Sequence, residues 1–175
     1  MSASQSPPAG SEYQKSGPRF RQMLRSPHQL LALSFGLGLA PRAPGTWGSL
    51  GGFPLFLALQ ALPVSARIVA YLALIAIGSW AVGRAGEDFG EHDHPALVWD
   101  ETIAMALVLE FTPISVTGWI AAFALFRLFD IWKPWPVYLA DEQGRGGVFV
   151  ILDDLLAAML AIACVAALSM TGLIH

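Results

Sequence analysis

An all-α, polytopic membrane bundle is the fold class this sequence predicts, and three observations predict it. Hydrophobic residues make up 55% of the 175-residue chain and mean hydropathy is +0.56, normal for a chain dissolved in lipid and high for a soluble one. Residues 155–174 run without a charge, long enough to cross a bilayer. Charge, only 13% of residues, is gathered rather than scattered: Arg127, Asp130, Lys133, Arg145, Asp153 and Asp154 fall between two apolar segments. The expected bundle has short or re-entrant hairpins and one full C-terminal spanning helix.

Taken in order, residues 1–18 are rich in Ser, Pro and Gly, lack an apolar core and read as a disordered tail. The remaining 19–175 read as a single membrane-embedded helical domain, with no cleavable signal peptide in front of it. Arg19, Arg21 and Arg25 hold the tail on the cytoplasmic side. Leu30 to Ala40 is apolar but only about 16 Å long as a helix, so it lies in the interface or packs as a re-entrant segment. The prolines and glycines of APRAPGTWGSLGG (40–52) predict irregular chain until Ser49, with Thr46 or Ser49 capping a helix from Leu50 to Leu62. Val64 to Gly83 is long enough to return across the bilayer, leaving Arg67 the lone basic residue at the far turn.

A polar loop is expected over 84–101. Thr102–Thr112 and Ser115–Phe126, separated by Pro113, then make a second short hairpin with Glu110 near its tip. The final crossing follows. This path puts 41–49, 84–101 and 127–154 on the side of the basic tail, and loop charge agrees, because Arg42, Arg84, Arg127, Lys133 and Arg145 all fall there.

Several chemistries drop out. Cys164 stands alone in an apolar run, which excludes an internal disulfide and a Cys-based zinc cluster. His92 and His94 lack a third ligand and read as an exposed loop pair. Trp47, Trp99, Trp132 and Trp135 suit interfacial anchoring, and no basic patch of nucleic-acid size exists.

The carboxylates are more informative. Asp100 and Glu101 end a loop, Asp130 follows a hairpin helix, and Asp153 and Asp154 open the last helix. Carboxylates brought together repel unless protonated or bridged by cations, and oxygen-only ligands of this kind suit Mg²⁺. One of Asp153 and Asp154 could instead cap the final helix. Arg127 and Asp130, three apart, share a helical face and either pair with each other or serve a ligand. Pro134 and Pro136 hold the chain extended after Lys133, a point charge suited to a phosphate. Pro44, Gly45, Thr46 and Ser49 form either a loop offering N–H and hydroxyl donors or a plain tight turn.

Three motifs, FGLGLAPRAPGTWGSLGGFP, VWDE and LFRLFDIWKPWP with GRGGVFVILDD, resemble the phosphatidylglycerophosphatase A family over residues 34–161. The resemblance implies a bacterial inner-membrane enzyme that removes the terminal phosphate of phosphatidylglycerophosphate with Mg²⁺, its N-terminus and site facing the cytoplasm. It carries Asp100, Glu101, Asp130, Lys133, Asp153 and Asp154 into the site, with Pro44, Gly45 and Thr46 in the loop. The sequence departs from the family pattern at Ala104, where glycine is usual, and at Ala157–Ala158, where Ala-Gly is usual. The D-x-D-x-[TV] arrangement of aspartyl-phosphate enzymes and a Cys-x₅-Arg loop are both missing, so the expected nucleophile is water. The partner expected is a phospholipid, not nucleic acid. The competing class is a small transporter or a non-catalytic scaffold that binds anionic lipid; it lacks support from internal repeats or midplane charges.

Overall fold

The computed structural model describes residues 18–91, 94–135 and 147–174. The tail expected over 1–18 (apart from Pro18), His92, Pro136 and Arg145 lie outside the described residues. Regular structure among the described residues is helical throughout: α1 (Phe20–Met23), α2 (Pro27–Ala32), a 3-10 segment (Ser34–Leu39), α3 (Pro44–Leu59), α4 (Val64–Phe89), α5 (Trp99–Glu110), α6 (Val116–Trp132) and α7 (Gly147–Met170).

The largest departure from expectation is α3. It begins at Pro44, not near Leu50, and runs straight through the glycines. Pro44 occupies the first turn, where its missing N–H removes no helical bond. The glycines are there for packing. A Cβ on Gly48 would lie 2.7 Å from Val98 Cβ, and one on Gly52 2.8 Å from Met105 Cβ, so α3 and α5 meet closer than any side chain permits. Tertiary contact outweighs the roughly 1 kcal/mol propensity cost of each glycine. Neither Thr46 nor Ser49 caps this helix: the cap position is Ala43, at φ 49°, and the Ser49 hydroxyl donates to the Gly45 carbonyl at 2.9 Å.

The other boundaries shift too. α4 continues through Arg84 to Phe89, inside the expected loop, and ends where Gly90 takes φ 72°. α6 extends to Trp132, so Asp130 sits in its last turn. α7 starts at Gly147, which puts Asp153 and Asp154 inside the helix and buried, not at its cap. Trp99 is buried with its indole N–H donated to Leu74 O at 3.2 Å, so it is no interfacial anchor, whereas Trp47, Trp132 and Trp135 are exposed.

α3 packs along α5, α7 against α4, α5 and α6, and α2 against α4. Phe56, Ile103, Met105, Leu109, Phe126 and Ile151 fill the core. α4 and α7, of 26 and 24 residues, are long and apolar enough to cross a membrane. Only 22% and 39% of their most apolar stretches are buried, so much of that surface faces outward.

Ser34 and Phe35 both adopt left-handed backbone, at φ 45° and 57°, which costs about 1–2 kcal/mol each. Buried hydrogen bonds hold this turn: Ser34 Oγ lies 2.7 Å from Thr102 Oγ1 and donates to Val98 O at 3.1 Å. Thr102 Oγ1 is also 2.8 Å from Gly48 O. This node ties the 3-10 segment, α3 and α5 together.

Polar side chains gather at two ends of the bundle. At one, Arg67 Nη1 reaches Glu110 Oε2 at 2.9 Å and Gln60 Oε1, while Tyr71 O–H donates to Glu110 Oε1 at 3.1 Å. These groups come from the end of α3, the start of α4 and the end of α5. The opposite end receives the start of α3, the start of α5, the end of α6 and the early turns of α7.

Candidate active site

The first turn of α5 supplies Asp100 and Glu101, the last two turns of α6 supply Arg127 and Asp130, and the early turns of α7 supply Asp153 and Asp154. Asp100, Glu101 and Asp154 converge: one carboxylate oxygen from each lies within 4.8 Å of the others. Asp130 is within hydrogen-bonding reach of Asp154, and Asp100 of Glu101. Three distant stretches of sequence thus meet in one acidic cluster.

The basic residues frame it. Arg127 Nη1 pairs with Asp130 Oδ2 and approaches Ser49 Oγ at 3.4 Å. Lys133, at φ 45°, turns back so that Nζ lies 2.9 Å from Asp153 Oδ2. Asp153 Oδ1 accepts the Asp154 amide at 3.0 Å, so this carboxylate orients Lys133 rather than joining the convergent three. Gly45 keeps the near wall open, because a Cβ there would collide with Glu101 Oε1 and sit 3.2 Å from Arg127 Nη1. Pro44 opens the same turn. The Thr46 hydroxyl makes no hydrogen bond among the described residues.

The acidic cluster is electrostatically incomplete. Asp100 Oδ1, Glu101 Oε2, Asp154 Oδ2 and Arg127 Nε are enclosed and have no hydrogen-bond partner among the described residues. Each such atom carries a desolvation cost of about 1–3 kcal/mol unless something binds it. Burial pushes the Asp100 carboxyl well above the usual range, helped by the charges of Glu101 and Asp154. Burial also pushes Glu101 up to about 7, against a hydrogen bond with Asp100 and with the charge of Asp130 adding to the rise. Two chemical remedies exist, protonation or a cation. The donor set, all oxygen, with three convergent carboxylates that each keep one unpaired atom, fits a hard divalent ion such as Mg²⁺.

Sequence reasoning missed Ser34 and Thr102. Their buried bonds fix the backbone next to Glu101, and an isolated Ser or Thr carries no spacing that would flag it. Ala104 and Ala158, where the resemblance leads one to expect glycine, are both fully buried in helix contacts, so the bundle accommodates their methyls.

A family model described as phosphatidylglycerophosphatase A matches residues 30–169. An Escherichia coli protein named phosphatidylglycerophosphatase A is 37% identical over 142 residues, 81% of this chain and 83% of that relative. A Haemophilus influenzae protein of the same name is 42% identical over 147 residues, 83% of this chain and 90% of its own length. A Bacteroides thetaiotaomicron protein with the provisional name phosphatidylinositol-3-phosphatase is 38% identical over 138 residues, 74% of this chain and 86% of its own. No solved structure matches the chain.

Proposed function

Because the chain belongs to the phosphatidylglycerophosphatase A family, we propose that it hydrolyses the terminal phosphomonoester of phosphatidylglycerophosphate to phosphatidylglycerol and phosphate. The observation that carries this reading is the set of enclosed, unpaired oxygens on Asp100, Glu101 and Asp154, with the two cations Arg127 and Lys133 beside them. These three carboxylates would hold Mg²⁺. When bound, the ion supplies charge stabilisation to the phosphoryl oxygens and lowers the pKa of water.

The chain's own residues do the rest. Lys133, oriented by Asp153, offers its ammonium to a phosphate oxygen, and Arg127, steadied by Asp130 and Ser49, offers its guanidinium. Asp130 lies next to the convergent three without being one of them, and we assign it the proton of the attacking water. The water oxygen bonds to phosphorus, the P–O bond to glycerol breaks, and the released glycerol oxygen takes a proton from solvent. Gly45 leaves room for the head group against Glu101.

The bundle is read as embedded in the bacterial inner membrane. α4 and α7 cross it, and α3, α5 and α6 form the shorter hairpins. The N-terminus and the site face the cytoplasm. Support comes from charge placement: Arg42, Arg84, Arg127 and Lys133 stand at the site's end, and Arg67 at the other is neutralised by Glu110. The lipid tails stay in the bilayer while the head group reaches the cluster.

Purified protein should release phosphate from phosphatidylglycerophosphate only with Mg²⁺, and Asp130→Asn should abolish release without unfolding the protein. Faster release from phosphatidic acid or phosphatidylinositol 3-phosphate would overturn the substrate assignment. No release from any of these would return the chain to a transporter or lipid-binding scaffold.

A further inference from the structure

The stretch from residue 18 to residue 43 contains no Asp or Glu, although the whole chain has a net charge of −3. Its four arginines, Arg19, Arg21, Arg25 and Arg42, are all exposed. So are three large apolar side chains, Phe20, Leu24 and Phe35. Phe20 and Leu24 are one helical turn apart and share a face, while Met23 between them turns inward against Leu33 and Ala96. Phe35 is the most telling. Its backbone is left-handed, a costly conformation for an aromatic residue, and the residue is 68% exposed. Water gives no return for that arrangement.

We propose that this segment docks on the anionic lipid head groups of the leaflet at the site's end. Phe20, Leu24 and Phe35 enter the acyl boundary, and the arginines engage the phosphates. Charge complementarity selects an anionic surface, since no acidic side chain in the segment opposes it. Continuity selects lipid over a protein partner: the 3-10 segment packs on α3, whose exposed Trp47, Leu50 and Leu57 form one apolar helical stripe. The dock is also anchored to the carboxylate cluster, because Ser34, immediately before Phe35, bonds Thr102, immediately after Glu101. It does not depend on the hydrolytic reading.

The test uses full-length protein in lipid nanodiscs, with Cys164→Ser and Leu24→Cys carrying a fluorophore, and with brominated acyl chains as quencher. Quenching should be about twofold or more greater in discs containing phosphatidylserine than in pure phosphatidylcholine. It should fall to the phosphatidylcholine level in about 1 M salt, where charge attraction is screened, and in the R19Q/R21Q/R25Q variant. Equal quenching in both discs, or none in either, overturns the proposal. So does shielding that appears only when other membrane proteins are present, which would indicate an acidic protein partner. The salt arm keeps every arginine in place, so it decides even if the triple variant misfolds.

Discussion

The two polar ends of this bundle are built from the same materials and finished differently. At one end Glu110 receives Arg67 and Tyr71, and Gln60 bridges to Arg67. None of the four has an enclosed side-chain atom without a partner. At the other end Asp100, Glu101, Asp154 and Arg127 each keep one. A network that closes on itself holds helices together; one that stays open keeps its valence for something else. We read the difference as that between a structural tie and a binding site, without reference to sequence similarity.

That comparison can be broken most severely at Asp130. Asp130→Asn should lower phosphate release by about a thousandfold, read from initial rates at saturating Mg²⁺, while thermal unfolding stays within a few degrees of the parent. Gly45→Ala should be next. Its methyl would push Glu101 and Arg127 apart, so activity falls by about a hundredfold while the helical circular dichroism is retained. Glu110→Ala should do the opposite. It strands Arg67 and Tyr71 and costs about 2 kcal/mol of stability, but leaves kcat unchanged at temperatures where the protein stays folded. A loss of kcat as large as that of Asp130→Asn would erase the distinction between the two ends.

The smallest effect concerns pH. Asp100 and Glu101 bind protons more tightly folded than unfolded, Glu101 at about 7 against an ordinary 4.5. Stability from these groups is therefore fully present below the unfolded value and lost as pH rises through the folded one. Chelator-treated protein should melt a few degrees lower at about pH 8 than at about pH 5, and Mg²⁺ should flatten the slope. A slope of opposite sign would mean that the cluster is stable when charged and needs no cation.

Much of this was legible in the sequence, and what was not has a physical cause. The helices and their alternation could be read from apolar runs, and loop charge placed Asp100, Glu101, Asp130 and the Asp153–Asp154 pair at one end. The start of α3 could not be read, because glycines that break an isolated helix become assets when α5 presses against them, as at Gly48 and Gly52. The Asp153–Asp154 pair reads in the sequence as the opening of the last helix, with one of the two a candidate cap, whereas both lie buried inside it. Arg67 and Glu110 each read in the sequence as lying at the tip of a hairpin, but their pairing is supplied by the packed structure. The Ser34–Thr102 node had no spacing signal at all.

The central claim is that the open carboxylates hold a divalent ion. Titrating Mn²⁺, a spectroscopic stand-in for Mg²⁺, into the purified protein and following the free ion by electron paramagnetic resonance tests it most directly. Saturable binding in the parent and in Glu110→Ala, with affinity lowered by about tenfold or more in Glu101→Gln and in Asp154→Asn, is the expected result. Mn²⁺ bound equally well by all four proteins would contradict it.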